Sequence, residues 1–268
     1  MQQNETVLDT SAKIELSRLS TMDTEQRQQV GQQLRSQKIF FAHMSVGYNI
    51  IEGLKQIGEQ YPELKLNIVK TEDPAEMAAP GFYHTPLGFN TDPGKKIDSF
   101  QEKIDKIRSA EPDIAFMKLC YVDINASRKL ELLFERYAQE IDQLEKKNPG
   151  IRFLHWTCPL TSSPMSLKGQ FKQTIKFITG KPTGTDNNLA RFEWNKKIIE
   201  RYTQDEIFDL AKYESHTPGG ELVYQQSADK KIPAMAKEYT NDSGHLNREG
   251  QIRIAEQLLF FLAAHIRE

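Results

Sequence analysis

One serine and one Asp-x-x-His motif are the features of this sequence best suited to catalysis. Ser45 follows a short apolar segment, Lys38–His43, and precedes residues with helical spacing. A hydroxyl there would lie at the positive end of a helix dipole, where its own N–H can stabilise an anion. That position suits a nucleophile whose transition state places negative charge on a carbonyl oxygen. It also suits an N-cap, where serine is common, so the residue type alone leaves both interpretations open.

The Asp-x-x-His motif lies near the end of the sequence, where Asp242 precedes His245 in the segment NDSGHLN. A serine nucleophile needs an imidazole base, and the imidazole needs a carboxylate that selects its tautomer and stabilises its charged form. A tight loop containing Gly244 can supply both groups from one stretch of chain. The alternative is a helix cap formed by Asp242 or Asn247, with His245 exposed to solvent.

The elements that would position these residues alternate between strands and helices. Apolar or alternating segments predict five strands, and amphipathic spacing predicts helices of about 12–18 residues between them. We therefore expect a three-layer α/β/α fold around a flavodoxin-like, five-stranded parallel sheet, with the site at the carboxyl ends of the strands. Two segments are predicted as loops: Gly81 to Gly94, and the stretch from Trp156 to Asp186. The predicted strands are Lys38–His43, Leu64–Val69, Asp113–Val122, Ile151–Trp156 and Glu206–Leu210.

The composition is that of an ordinary globular protein. The 268 residues include 35 Lys+Arg and 37 Asp+Glu, for a formal charge of −2, which argues against a basic nucleic-acid-binding protein. No apolar run approaches the roughly 18–20 residues of a membrane span, and the polar N-terminus lacks the apolar region of a signal peptide. We expect either a cytosolic protein or a mature exported form, and export is the preferred interpretation. Residues 1–37 are predicted to form an arm and a helix packed on a single domain of residues 38–268.

No cofactor or metal is expected. No glycine-rich loop follows a strand in the patterns that bind dinucleotides or nucleoside triphosphates, and no His, Cys or acidic spacing matches a zinc or calcium site. Cys120 and Cys158 are placed near the ends of neighbouring strands, so they form either one disulfide or two buried thiols. The charged run from Lys95 to Ser109 is predicted to be a solvent-exposed helix face.

Together the two motifs carry a resemblance to a known family. The blocks FAHMSVGYNI and DSGHLN resemble the SGNH (GDSL-like) hydrolase superfamily, and more narrowly a branch with a His-x-Ser-Val-Gly nucleophile block. The similarity extends from about Ile39 to the end of the chain and includes NLARFEWN and FDLAKYES. It implies the SGNH hydrolase fold, with Ser45 as nucleophile, His245 as general base and then acid, and Asp242 as the orienting partner of His245.

The resemblance also implies an oxyanion hole made of the nucleophile N–H, a glycine N–H and an asparagine side chain. Gly88 in PLGFN matches the glycine by position, whereas Val122 stands where the asparagine would be, and Asp123 matches the aspartate that follows it. Asn90 is our candidate for the missing donor, although it suits a turn equally well. Tyr121 is a second candidate, at the end of the third predicted strand.

The resulting hypothesis is a serine esterase that cleaves an O-acyl group on a carbohydrate, or a short-chain ester, through an acyl-Ser45 intermediate. The alternatives are an O-acyltransferase with the same triad, and a catalytically impaired glycan-binding or assembly module, which the Val122 departure suggests. The expected partner is a small-molecule or glycan ester. His43 and His84 are expected at the pocket or in the core beside it, since no carboxylate near His43 in the sequence pairs with it as a base would require.

Overall fold

The structure is a computed structural model that describes residues 18–164, 167–227 and 230–266, so most of the predicted N-terminal arm lies outside the described residues. The helices are α1 (Arg18–Thr21), α2 (Thr24–Arg35), α3 (Val46–Gln60), α4 (Pro93–Ile107), α5 (Leu130–Lys147), α6 (Leu167–Ile178), α7 (Gly184–Arg201), α8 (Leu210–Glu214) and α9 (Arg248–Ala263). The strands are β1 (Lys38–His43), β2 (Ile68–Lys70), β3 (Gly81–Pro86), β4 (Ile114–Met117), β5 (Arg152–Trp156), β6 (Ile207–Phe208), β7 (Tyr224–Ser227) and β8 (Lys230–Pro233).

Six parallel strands form the central sheet, in the order β2-β3-β1-β4-β5-β6. The α/β fold and the parallel sheet are as predicted, but the prediction of five strands is wrong. The additional strand is β3, which lies between β1 and β2 in the segment predicted as a loop. Its glycine and proline, Gly81 and Pro86, stand at its two ends, where they bound a strand without interrupting it. The residues between them are buried, as in any strand covered on both faces.

Helices cover both faces of the sheet because side chains along a strand alternate in direction. In β1, Ile39 and Phe41 belong to a core shared with α2, α3 and α9, whereas Phe40 and Ala42 belong to a core shared with α4, α5 and α7. This is the expected arrangement of three layers. In the part of the chain that the structure describes, no helix combines the length and the apolar character needed to cross a membrane.

Several local boundaries differ from the sequence prediction. The strands β2, β4 and β6 are shorter than predicted, and the chain after β4 leaves the sheet at Lys118 to form a loop. The long segment predicted as a loop after β5 contains α6. Helix α7 begins at Gly184, within the segment predicted as a loop up to Asp186, because Thr183 and Asp186 form a capping box. The short hairpin of β7 and β8 had no predicted counterpart.

Two helices on one face of the sheet bring together residues that are far apart in the sequence. Helix α3 follows β1, and α9 packs closely along it, because Gly53 has no side chain: an added Cβ would lie 2.1 Å from the carbonyl oxygen of Gln251. Gln56 Nε2 also donates to Gln251 Oε1 at 2.8 Å. The residues that precede these two helices, Ser45 and His245, therefore meet.

Candidate active site

Ser45 lies in a strained turn between β1 and α3. Its backbone has φ 53° and ψ −112°, a conformation that costs a residue other than glycine about 1–3 kcal/mol. The hydroxyl makes no capping hydrogen bond to α3, so the N-cap interpretation does not describe this side chain. Instead, Ser45 Oγ lies 2.7 Å from His245 Nε2. The turn thus presents the hydroxyl to an imidazole.

Asp242 holds His245 from the other side. His245 Nδ1 lies 2.7 Å from Asp242 Oδ2, while the backbone N–H groups of His245 and Gly244 donate to Asp242 Oδ1 at 2.7 and 2.9 Å. Partial burial disfavours the charge on Asp242, but the hydrogen bonds from His245 and Gly244 outweigh it and lower the pKa of Asp242 to about 2. An ionised Asp242 makes Nδ1 the donor, which leaves Nε2 free to accept the proton of Ser45.

Two asparagines anchor the loop that carries His245. Asn247 caps α9, its Oδ1 accepting from the Gly250 N–H at 3.1 Å, so Asp242 is not needed as the cap. Asn49, in the first turns of α3, accepts from the Leu246 N–H at 3.2 Å. Because that bond joins the loop to the helix that begins after Ser45, it sets the approach of two groups that are 200 residues apart.

Two backbone N–H groups are unpaired near the serine. Strands β1 and β3 pair as far as His43 and Pro86, and the Leu87 N–H donates to His43 O at 2.7 Å, so Ser45 and Gly88 follow the same pair of strands. Within the described ranges, neither the Ser45 nor the Gly88 N–H has an acceptor, and no atom lies within 4 Å of an added Gly88 Cβ. Unpaired N–H groups next to open space are available to an anion.

A buried ion pair holds the loop that follows Gly88. Lys96 and Asp123 are fully buried, and Lys96 Nζ lies 2.6 Å from Asp123 Oδ2. Lys96 Nζ also donates to Asn90 Oδ1 at 2.8 Å, and Asp123 Oδ1 accepts from the Thr91 N–H at 2.9 Å. Asn90 is exposed and is held through its oxygen, so its NH₂ group takes no part in this contact.

The burial of Lys96 corrects the prediction that residues 95–109 form a solvent-exposed face. Lys96 precedes Phe100 by four residues and Ile104 by eight, so it lies on the same buried stripe of α4. That spacing is the feature of the sequence that indicates the burial of Lys96. The charge of the side chain concealed it, because lysine is rarely buried unless it is paired.

His43 and His84 form a buried pair at the ends of β1 and β3. His43 Nε2 lies 3.0 Å from His84 Nδ1. Burial, together with nearby cationic groups, lowers the pKa of His43 to about 2 and that of His84 to about 4. Both rings are therefore neutral at neutral pH. His43 packs directly on Gly47, which explains in physical terms why a glycine occupies the fourth position after it.

Replacing Gly47 with alanine is expected to lower the free energy of unfolding by about 1–3 kcal/mol, since the new Cβ would lie 2.4 Å from His43 Nδ1. Gly150→Ala is the matched control, because in the described part of the chain no atom lies within 4 Å of its added Cβ. Urea unfolding of both variants measures the difference. Equal midpoints for the two variants would contradict the packing role of Gly47.

A cavity of about 1260 Å³ opens beside the Asp242 loop. Tyr121 lines it and packs edge-on against the His245 ring, with 5.8 Å between ring centroids. Burial and the nearby Asp242 raise the pKa of Tyr121, so its hydroxyl stays a proton donor. Val122 also lines the cavity. The remaining wall carries many hydroxyl and amide groups, among them those of Asn125, Ser127, Thr161, Ser163, Gln225 and Asn241.

Arg191 supports this cavity and is a residue that the sequence analysis did not single out, although it lies in the segment NLARFEWN. Its Nε donates to the Tyr121 carbonyl oxygen at 2.9 Å, and a terminal nitrogen donates to Asn188 Oδ1 at 2.6 Å. Arg191 thereby ties the Tyr121 loop to α7. No local pattern marks its contact with the Tyr121 loop, because Tyr121 lies 70 residues away in the sequence.

Cys120 and Cys158 are both buried and free, which is the second of the two predicted alternatives. Cys158 Sγ lies 3.6 Å from the Cys120 carbonyl oxygen, and burial raises the pKa of the Cys158 thiol. Cys120 Sγ lies 3.3 Å from Lys96 Nζ, next to the buried ion pair. The two thiols pack the region behind the candidate site.

No protein-family model and no curated protein matches the sequence. Among solved structures, the chain is similar to a Streptococcus pneumonia protein provisionally described as a platelet activating factor, with 14% identity, a TM-score of 0.49, and coverage of 89% of this chain and 92% of that one. It is also similar to the periplasmic domain of a lipopolysaccharide acetyltransferase from Salmonella ser. Paratyphi A, with 13% identity, a TM-score of 0.44, and coverage of 90% and 97%. A Desulfitobacterium hafniense protein provisionally described as a lipolytic protein of the G-D-S-L family shows 10% identity, a TM-score of 0.39, and coverage of 84% and 99%.

Proposed function

We propose that this protein is a serine esterase of the SGNH (GDSL-like) type, acting through an acyl-Ser45 intermediate. The observation that carries the proposal is the continuous relay from Ser45 Oγ to His245 Nε2 at 2.7 Å and from His245 Nδ1 to Asp242 Oδ2 at 2.7 Å. Nucleophile, base and orienting carboxylate are all within hydrogen-bond reach, which is the arrangement that activates a serine hydroxyl.

In the proposed mechanism, Ser45 Oγ attacks the ester carbonyl carbon while His245 Nε2 takes its proton. The charge that develops on the carbonyl oxygen would be stabilised by the N–H groups of Ser45 and Gly88 and by a donor from Asn90 or Tyr121. His245 then returns the proton to the leaving alcohol, and the acyl group stays on Ser45. A water molecule deprotonated by His245 would release the acid and restore the serine.

For the substrate, we propose an O-acyl group on a carbohydrate, or a short-chain ester. The hydroxyl and amide groups that line the cavity beside Asp242 support a polar, hydroxyl-rich substrate, because each can pair with a sugar hydroxyl. The volume of about 1260 Å³ is more than a short ester alone occupies. That extra space also supports the alternative of acyl transfer, in which a second hydroxyl compound accepts the acyl group.

Labelling with a fluorophosphonate tests the nucleophile without knowledge of the substrate. We expect one modification per chain, located at Ser45 by peptide mass spectrometry, and none in Ser45→Ala. Ser36→Ala is the control, since Ser36 Oγ donates to the Gln33 carbonyl oxygen on an exposed helix end and should not affect labelling. An unlabelled wild-type protein would favour the alternative of a non-catalytic glycan-binding module.

The products distinguish hydrolysis from transfer once an ester substrate is found. Release of free acid alone, with or without added glycan, is expected of an esterase. Formation of an acylated glycan at the expense of free acid would assign transfer instead. Both outcomes use the same Ser45 intermediate, so only the acceptor differs.

A further inference from the structure

Helix α6 carries three largely exposed apolar side chains on one face. The side chains of Phe171, Ile175 and Ile178 are 66%, 46% and 75% exposed. They are spaced by four and three residues, so they lie on one face of the helix. Elsewhere among the described residues, the exposed large apolar side chains are isolated from one another in the sequence, at Tyr48, Phe89, Leu132, Ile199 and Tyr224. Isolated apolar residues on a surface are ordinary, but three on one helix face indicate a contact.

Among the side chains of α6 that the structure describes, the apolar ones are exposed. Lys172, Gln173 and Lys176 line the cavity beside Asp242, whereas Phe171, Ile175 and Ile178 are largely exposed. Lys172 is itself exposed and lies at the border between the cavity side and the apolar face. A helix that packs on a core does the opposite, placing its apolar stripe inward. The apolar face of α6 therefore suits a surface outside this domain.

The positive charge next to the apolar face of α6 indicates what kind of surface the helix would contact. Between residues 167 and 185 the chain has four lysines and no acidic residue, although its overall formal charge is −2. Lys168 and Lys172 are exposed and neighbour the apolar stripe along the helix. A second copy of this chain would bring the same lysines together, which like-charge repulsion disfavours. A surface with both negative charge and an apolar layer would pair with the lysines and accommodate the apolar side chains.

We propose that α6 is an interfacial helix that lies on an anionic lipid bilayer. Phe171, Ile175 and Ile178 would enter the boundary between headgroups and acyl chains, and Lys168 and Lys172 would pair with lipid phosphates. Docked in this way, α6 would hold the cavity behind it near the membrane surface. The proposal does not depend on esterase activity, because it rests on the outer face of the helix alone.

Co-sedimentation with vesicles tests it, using the full chain. We expect the protein to bind vesicles in which a third of the phosphatidylcholine is replaced by phosphatidylglycerol, and to bind pure phosphatidylcholine more weakly. Binding should weaken as salt is raised, since salt screens the lysines. The triple variant Phe171→Ser, Ile175→Ser, Ile178→Ser should reduce the partition coefficient at least about tenfold. Lys168→Gln and Lys172→Gln should each reduce binding to anionic vesicles by about fivefold.

The variant Leu132→Ser, Ile199→Ser is the matched control, because it removes exposed apolar side chains from other helices and should bind as the wild type does. Circular dichroism and melting curves check that every variant is folded. Absence of wild-type binding to anionic vesicles, or equal binding by the triple variant, would overturn the proposal. So would a wild-type dimer that the triple variant converts to a monomer, since a second copy would then cover the face.

Discussion

Replacing Ser45 with alanine is expected to lower kcat for the hydrolysis of an activated ester such as p-nitrophenyl acetate by about 10⁴- to 10⁶-fold. The alanine removes the oxygen that we propose forms the acyl intermediate, while the rest of the proposed site would still bind the ester. KM should therefore change much less than kcat. Steady-state assays with purified wild type and variant measure both constants.

Substitutions of the other two residues test whether the three side chains act as a unit. His245→Ala should cost about as much as Ser45→Ala, and the double variant should cost no more than either, because each removes the same reaction path. Asp242→Asn should lower kcat by about 10⁴-fold, since an amide can donate to Nδ1 and stabilise the wrong tautomer.

Ser36→Ala is the control for these assays, and it should keep the wild-type kcat. If the Ser45→Ala protein keeps the wild-type activity, Ser45 is not the nucleophile. Additive losses in the double variant would mean that Ser45 and His245 contribute independently, which contradicts the 2.7 Å relay between them.

The second large effect is expected at the buried ion pair. Lys96→Met should lower the free energy of unfolding by about 3–5 kcal/mol, because it leaves the Asp123 carboxylate without its cation in a fully buried position. Asp123→Leu should cost a similar amount, since it leaves the Lys96 ammonium unpaired. Urea unfolding with a constant m-value measures both.

The double variant Lys96→Met, Asp123→Leu should be more stable than the sum of the two single losses predicts, because no unpaired charge remains. The exposed pair Arg136 and Asp98 is the control, and replacing either with alanine should cost about 0–1 kcal/mol. If Lys96→Met lowers the free energy of unfolding by only about 0–1 kcal/mol, then water reaches the Asp123 carboxylate and the pair is not buried in solution.

Ester hydrolysis in the same variants reports on the loop after Gly88. The Thr91 N–H and the Asn90 side chain are held by Asp123 and Lys96, so a folded Lys96→Met protein has lost a contact of the candidate oxyanion donor. If the loss of activity in Lys96→Met is larger than the loss of folded protein, the contact between Lys96 and Asn90 positions Asn90 for the reaction.

The local features of the fold and of the site could be predicted from the residues themselves. The spacing of apolar residues predicted the helices between the strands, because residues three and four apart lie on the same face of a helix. The contact between Asp242 and His245 is local too, because a carboxylate can reach the N–H and the ring three residues later within one tight loop. The alternation of strands and helices was enough for the parallel α/β fold.

Features that depend on partners far away in the sequence could not be predicted in this way. Strand β3 was predicted as a loop because its glycine and proline suggest a turn. Its position between β1 and β2 depends on pairing with both strands, which the local sequence does not specify. The spacing of Lys96 places it on the buried stripe of α4, but its charge can be buried only because Asp123, from another segment, pairs with it, and the sequence does not indicate that pairing. The meeting of Ser45 with His245 is of the same kind. The two residues are 200 positions apart, and the packing of α3 on α9 determines their separation.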